Sequence, residues 1–339
     1  MKIAMLAPIS WRTPPRHYGP WEWVVSMLTE ELVKRDIEVT LYATADSLTT
    51  ARLRSVAERP WSEDPELDPK VWECLHISTV FEEAENYDLI HNHFDFLPLS
   101  YAGLVTTPVL TTIHGFSSPR ILPVYRKYNG RVHYVAISAA DRCAELKYAA
   151  TIHHGIPVAN YQFNATASPE EYLLFFGRIH HDKGVYESIR LAKQVEVPLI
   201  IAGIIQDQDY FDRYVSPYLD DCQVRYIGPV GPEQKGELLG GAIALLHLIN
   251  FDEPFGLSVA ESMACGTPVI AFNRGSMPEL IADGISGFLV DDLDQARDAI
   301  MKVSQIKRSD CRRHVEDNFT VELMVDRYIK VYKQIIGDQ

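Results

Sequence analysis

The stretch Ile243–Ala271 reads IALLHLINFDEPFGLSVAESMACGTPVIA. It opens on a short apolar run, Ile243–Leu246, and passes through a polar segment. It continues as a helical pattern over Phe255–Ala264 and closes on a second β-rich run, Val269–Ala271. Two short apolar runs joined through a helix describe a βαβ unit, and therefore a parallel sheet. Gly256 lets the backbone come close to a ligand, and a proline such as Pro254 near a first helical turn costs little. The amides at this helix start form an anion site suited to a phosphate or diphosphate. Glu253 then sits on the loop at the carboxyl end of the strand, and Glu261 one to two turns into the helix. Two carboxylates beside a phosphate site point to hydrogen bonds with hydroxyls, as on sugars and ribose. On spacing alone, a capping Glu and an ordinary helical Glu explain them equally well.

The same alternation extends in both directions. Upstream strands are expected at Ile3–Ala7, Glu38–Tyr42, Leu89–His91, Val109–Ile113, His133–Ile137 and Thr151–His153. Beyond them come Tyr172–Phe176, Leu199–Ala202 and Val224–Tyr226, with amphipathic segments at Trp21–Arg35, Val185–Lys193 and Asp207–Leu219. Strands this continuously apolar fit sheets covered on both faces. The pattern runs twice, with a polar join near Gly155–Ala167. The fold class is thus α/β, with two doubly wound, Rossmann-like domains, 1–158 and 165–318, facing across a cleft; ligands of such sheets gather at the carboxyl ends of the strands. Pro60–Pro69 (PWSEDPELDP) reads as an exposed acidic loop, and Val321–Ile336 as a long amphipathic helix.

The 339 residues suit two domains, and 47% hydrophobic with 23% charged residues suits a sizeable core. Lys and Arg number 32 against 46 Asp and Glu, a net charge of -14. That excludes sequence-independent nucleic-acid binding, which needs a basic footprint, and argues against strong docking on an anionic membrane. No stretch of 18 apolar residues exists to span a membrane, so at most peripheral contact is expected. The opening MKIAMLAPIS is too short an apolar run for a signal peptide. Five dispersed cysteines without a CxxC pair are expected to be reduced, mostly buried thiols of a cytoplasmic protein.

Four further constellations carry chemistry. Gly177-Arg178-Ile179-His180-His181-Asp182-Lys183-Gly184 follows a strand, so Arg178 and Lys183 can both face a diphosphate and neutralise charge on a leaving phosphate. Basic residues in loops are more often simply solvated. The loop Ser10–Trp21 holds Gly19 and Pro20 but is neither GxGxxG nor a P-loop, which leaves a nicotinamide site poorly supported. His114 closes the run Thr111-Thr112-Ile113, where it faces a sugar hydroxyl or serves as a satisfied structural histidine. His91, His93 and Asp95 lie near another strand end. Trp11, Tyr18, Trp21 and Trp23 offer a stacking platform for sugar rings or core packing for the first helix. The histidine pairs lack a recognisable ligand spacing, so no metal and no cofactor is expected.

Together these residues resemble family 4 of the retaining glycosyltransferases, which have the GT-B fold. Glu253-Pro254-Phe255-Gly256 through Glu261 is similar to that family's E-x7-E motif, and Gly177-Arg178 through Lys183-Gly184 to its phosphate-binding pair. Thr-Ile-His114-Gly115, Ser138, His154-Gly155-Ile156-Pro157, Gly266–Ala271 and Gly275–Glu279 resemble further landmarks. The resemblance covers nearly the whole chain and is most specific over Tyr172–Val290. It departs at Gly19-Pro20, where the family often has Gly-Gly, and at Asn250-Phe251-Asp252, where it often has Pro-Ser. It implies that Glu261 holds the donor ribose. Arg178 and Lys183 bind the donor diphosphate with the amides of Gly256, Leu257 and Ser258, alongside Phe255 and Gly19. Glu253 contacts the donor sugar's hydroxyls, and His114 its C6 region. It further implies an acceptor site on the first domain and a last helix, 320–339, that crosses back onto it. The implied reaction is metal-independent, front-face transfer from a nucleoside diphosphate sugar, most often UDP-linked, to a saccharide, lipid-linked or small-molecule acceptor. A sugar-nucleotide 2-epimerase of the same fold and a non-catalytic sugar-nucleotide-binding partner are the alternatives.

Overall fold

A computed structural model describes residues 1–116, 119–220 and 222–337. They form two compact units, Met1–Gly155 with the segment from Val321 onward, and Ile156–Thr320. In the first unit the chain runs β1 (Lys2–Leu6), α1 (Pro20–Lys34), β2 (Glu38–Tyr42), β3 (Arg52–Arg54), α2 (Pro69–Glu82), β4 (Leu89–Asn92), β5 (Val109–Ile113), α3 (Leu122–Tyr128), β6 (His133–Ala136) and β7 (Tyr148–Thr151). Its strands pair in the order β3-β2-β1-β4-β5-β6-β7, and all neighbours are parallel. The central strands β4 and β5 are buried throughout, as a sheet covered on both faces requires.

The second unit runs β8 (Leu173–Phe176), α4 (Val185–Val195), β9 (Leu199–Ala202), α5 (Gln208–Tyr214), β10 (Val224–Gly228), α6 (Pro232–Gly241), β11 (Ala244–His247), α7 (Leu257–Ala264), β12 (Val269–Phe272), α8 (Met277–Leu280), β13 (Gly287–Val290), α9 (Leu293–Lys302) and α10 (Arg308–Asn318). Its parallel sheet has the order β10-β9-β8-β11-β12-β13. The chain then returns to the first unit as α11 (Val321–Gly337), where Val325, Tyr328 and Tyr332 are fully buried and Arg35 of α1 pairs with Asp326.

Local chemistry sets the helix starts. Pro20 opens α1, where its missing N–H is no loss, behind Gly19 at φ 150°. Asp68 caps α2 by accepting from Lys70 N at 2.9 Å, so the acidic 60–69 segment ends as a helix start rather than as plain loop. Several boundaries differ from the sequence reading. The helix expected from Phe255 begins at Leu257, because Gly256 is left-handed at φ 95°; Pro254 therefore lies outside it. The strand expected at Thr151–His153 is Tyr148–Thr151. The helix expected over Asp207–Leu219 stops at Tyr214 and gives way to a short 3-10 turn over Ser216–Tyr218, since Pro217 has no N–H to continue the α-helical ladder. Of the segment expected at 320–339, residues 338 and 339 lie outside the described residues. Only Cys265 and Cys311 are buried, while Cys74 and Cys222 are exposed and Cys143 is partly covered; the expectation of mostly buried thiols was wrong.

Candidate active site

In the second unit the strand order reverses direction between β8 and β11, the switch point where open parallel sheets bind ligands. The loops after these two strands are locked together by Gly184. It sits at φ +73°, and a Cβ there would lie 1.8 Å from the Leu248 carbonyl oxygen. Asn250 N also donates to Asp182 O at 2.7 Å. This close approach brings Lys183 Nζ to Glu253 Oε2 at 2.7 Å, 4.3 Å above the Phe251 ring. Both side chains are mostly covered, at 13% and 14% exposure, so each is the other's main counter-ion.

Glu253 is held from a third direction. Ser276 N donates to its carbonyl at 3.0 Å, and Ser276 Oγ donates to Phe255 O at 2.7 Å. Gly275, at φ +56°, leaves no room for a Cβ beside Glu253 N. The helix α7 then starts at Leu257 and Ser258, whose amides precede that of Val259, the first to donate to Gly256 O. Glu261 lies one turn in and is buried. Tyr161 OH donates to its Oε1 at 2.8 Å, and Lys235 Nζ donates to the same oxygen at 2.5 Å. Arg178, on the loop after β8, donates to Gln206 Oε1.

The structure thus joins Lys183 to Glu253 and sets Gly256, Leu257, Ser258 and Glu261 on one loop and helix. The Phe255 ring is buried edge-on against Phe319, at 6.2 Å between centroids, so its side chain packs the core. Four partners went unread in the sequence: Tyr161, Gln206, Lys235 and His247. His247 ends β11, with Nε2 buried, unbonded, and 3.7 Å from Glu253 Oε2. Burial lowers its pKa to about 4. Its place at the end of an apolar strand, just before the Glu253 loop, was the available signal; the other three come from distant segments.

Gly19 and His114 belong to the first unit. His114 follows β5, is buried, and stacks on Trp21 at 5.3 Å. Both its ring nitrogens already meet other histidines, Nε2 with His93 Nδ1 at 2.8 Å and Nδ1 with His154 Nε2 at 3.3 Å. A sugar hydroxyl would have to share or displace one of these. Asp95, which follows the end of β4, accepts from Tyr125 OH at 2.6 Å. Behind Gly19, buried Glu22 accepts from Ser10 Oγ at 2.8 Å and Trp11 N at 3.2 Å. Desolvation still raises its pKa to about 7. Among the described residues, His180, His181 and Asp207 place three metal-capable atoms within 4.8 Å of one another. Asp207 comes from a separate loop, which local spacing could not reveal.

Comparison with known proteins fits this geometry. The family model described as "Glycosyl transferases group 1" matches residues 160–318, and that described as "Glycosyltransferase Family 4" matches residues 22–165. The chain belongs to the family 4 glycosyltransferases. An uncharacterized glycosyltransferase of Methanocaldococcus jannaschii is 22% identical over 86% of this chain and 85% of its own length. A Klebsiella pneumoniae protein from a cps region is 31% identical, but the match spans 48% of this chain and only 46% of that protein. Among solved structures, a sucrose-phosphate synthase from Thermosynechococcus elongatus superposes with a TM-score of 0.80 at 18% identity, covering 100% of both chains. Anabaena HepE, crystallised with UDP and glucose, gives 0.74 at 19% identity, over 97% of this chain and 98% of its own. These neighbours establish the GT-B fold for this family 4 member. No helix among its described residues is long and apolar enough to cross a membrane.

Proposed function

We propose that this chain transfers a sugar, with retention of configuration, from a UDP-sugar such as UDP-glucose to a saccharide, lipid-linked or small-molecule acceptor. The observation that carries the reading is the Lys183–Glu253 pair, fixed by Gly184 at the start of α4 and lying just ahead of the start of α7. Such a site offers a cation and helix-start amides to a diphosphate, and a carboxylate to sugar hydroxyls. The pair serves as a latch: a donor diphosphate takes up Lys183, which frees Glu253 Oε2 to accept from a hydroxyl. Arg178, released from Gln206, adds a second cation. In the front-face reaction the glycosidic C–O bond to the leaving phosphate breaks. The acceptor hydroxyl oxygen bonds to the anomeric carbon on the same face, and its proton passes to the departing phosphate oxygen. The two cations take the charge that a metal would otherwise take. Glu261 supports the ribose, with Lys235 and Tyr161 fixing its carboxylate, and His114 meets the transferred sugar. The UDP and glucose bound to Anabaena HepE support the choice of donor.

The test is a thermal-shift series with UDP, GDP and ADP and their sugar conjugates, without metal. A rise selective for UDP, larger with one UDP-sugar, is the expected result. A selective rise with another nucleotide overturns the donor, and no rise with any overturns the reading.

A further inference from the structure

Four histidines of the first unit form a continuous hydrogen-bonded row, of which the reaction above uses only His114. His93 Nδ1 meets His114 Nε2 at 2.8 Å, His93 Nε2 meets His91 Nδ1 at 3.3 Å, and His114 Nδ1 meets His154 Nε2 at 3.3 Å. The far end is closed by the returning helix α11. His91 Nδ1 lies 2.7 Å from Tyr332 OH, and His91 Nε2 lies 2.8 Å from Thr112 Oγ1, itself 2.9 Å from Tyr328 OH. All four rings are buried. Desolvation holds His91, His93 and His114 well below the usual histidine range, and His154 down at about 3, so each ring is neutral.

A neutral imidazole has one N–H and one acceptor nitrogen. Each contact between two rings therefore holds a single proton, and the tautomer of one ring dictates that of the next. We propose that this row is tautomer-coupled from Tyr332 to His114, and that His93 is a positioning residue which holds His114 as its Nε2–H form.

The direction follows from the end group. A phenol is a better donor to an imidazole nitrogen than an imidazole N–H is to a phenol oxygen, so Tyr332 OH donates to His91 Nδ1. That leaves the proton of His91 on Nε2, donated to Thr112 Oγ1. His91 Nδ1, as an acceptor, also faces His93 Nε2–H. The Nδ1 of His93 is then bare and accepts from His114 Nε2–H, which leaves His114 Nδ1 to accept from His154 Nε2–H. The Trp21 ring stacked on His114 keeps the imidazole in plane for these bonds. The terminal helix thus sets the protonation pattern of a histidine two rings away. The functional half of this inference rests on the proposed role of His114 at the sugar; the coupling itself does not.

The test uses the full chain labelled with 15N-histidine, with the His114 imidazole signals assigned by their loss in His114→Asn. The expected spectrum shows His114 as a single Nε2–H tautomer. Tyr332→Phe removes the hydrogen at His91 Nδ1 while touching neither His93 nor His114, and His114 is expected to become a mixture of tautomers. A His114 spectrum that stays single and unchanged in Tyr332→Phe overturns the coupling. If that variant does not fold, His93→Gln interrupts the row nearer its centre and is read in the same way. On UDP release from UDP-glucose, His93→Gln is expected to lower kcat about tenfold with KM within about twofold, the signature of lost transition-state positioning. An unchanged kcat in His93→Gln overturns the positioning role. Full turnover in His114→Asn instead sinks the role given to His114 and leaves the coupling standing.

Discussion

Lys183 and Glu253 are nearly buried and share one 2.7 Å contact, so removing either leaves the other charge poorly compensated. In the proposed reaction Lys183 also faces charge that grows on the leaving diphosphate. Lys183→Ala is therefore expected to lower kcat by about 10²–10³, the effect of losing one oxyanion donor, while the far-ultraviolet circular dichroism stays unchanged. Glu253→Ala is expected to lose most turnover as well; near-normal steady-state rates in either purified variant would refute the assignment. Glu22 makes a separate prediction. Its folded pKa of about 7 lies above the 4.5 of the free side chain, so the folded state holds the extra proton. Stability from this group is thus present at low pH and lost as pH rises from about 4.5 through about 7, to a limit of about 3 kcal/mol. Denaturant titrations at pH 5 and pH 8 should show a smaller difference for Glu22→Gln than for the parent. The buried histidines act in the opposite sense. His76 and His247 fall to about 4, so their contribution is intact above 6.5 and lost as pH drops toward 4.

At the scale of elements, the loop that presents Lys183 depends on one backbone conformation. Gly184 is left-handed, and the space its Cβ would need is occupied by the Leu248 carbonyl. Gly184→Ala is expected to push the loop after β8 away from the loop after β11 and break the Lys183–Glu253 contact. It should cost more activity than stability, seen as a large fall in kcat/KM beside a melting-temperature drop of only a few degrees. A melting loss on the scale of a core cavity mutant, or full activity, would show that the loops are not pinned there. Much of this level was legible in the sequence. The β8 loop, the β11 loop and α7 were read from apolar runs, Gly256 and the two glutamates, because those signals are local. Two of the edge strands were not: β3 is three residues long with an arginine at each end, and β13 opens on Gly287 and adds only the three apolar residues Phe288–Val290. Tyr161 and Lys235, which fix Glu261, are 100 and 26 residues away from it, and no spacing rule connects them. The histidine row was visible only as scattered pairs, since three separate segments, those of His91 and His93, of His114 and of His154, contribute its rings. The core packing of the Phe255 ring was not legible either, because a residue inside a motif need not point its side chain at the ligand.

At the scale of the molecule, the first unit is built from two distant pieces of chain, since α11 belongs to it although the whole second unit intervenes. The core of the second unit, centred on Leu173, Ile189, Leu199 and Leu246, uses only its own residues. The two units should therefore respond differently to loss of the C-terminal helix. Val325, Tyr328 and Tyr332 are fully buried. At about 1.5–3 kcal/mol for each large side chain, their removal takes away an amount comparable with the whole stability of a domain, about 5–15 kcal/mol. It also strips the hydroxyls from His91 and Thr112. A chain ending at Thr320 is expected to lose the cooperative melting of the first unit. The second unit should keep its own transition and its response to UDP, because Lys183, Glu253 and Glu261 with their partners all lie within it. At UDP concentrations about 100 times the dissociation constant, that transition should gain about 2.7 kcal/mol, in the truncated chain as in the full one. Differential scanning calorimetry with and without UDP separates the cases. A first-unit transition that survives truncation would refute the structural role of α11. A UDP response that disappears with the helix would mean that the nucleotide site needs more than the second unit supplies.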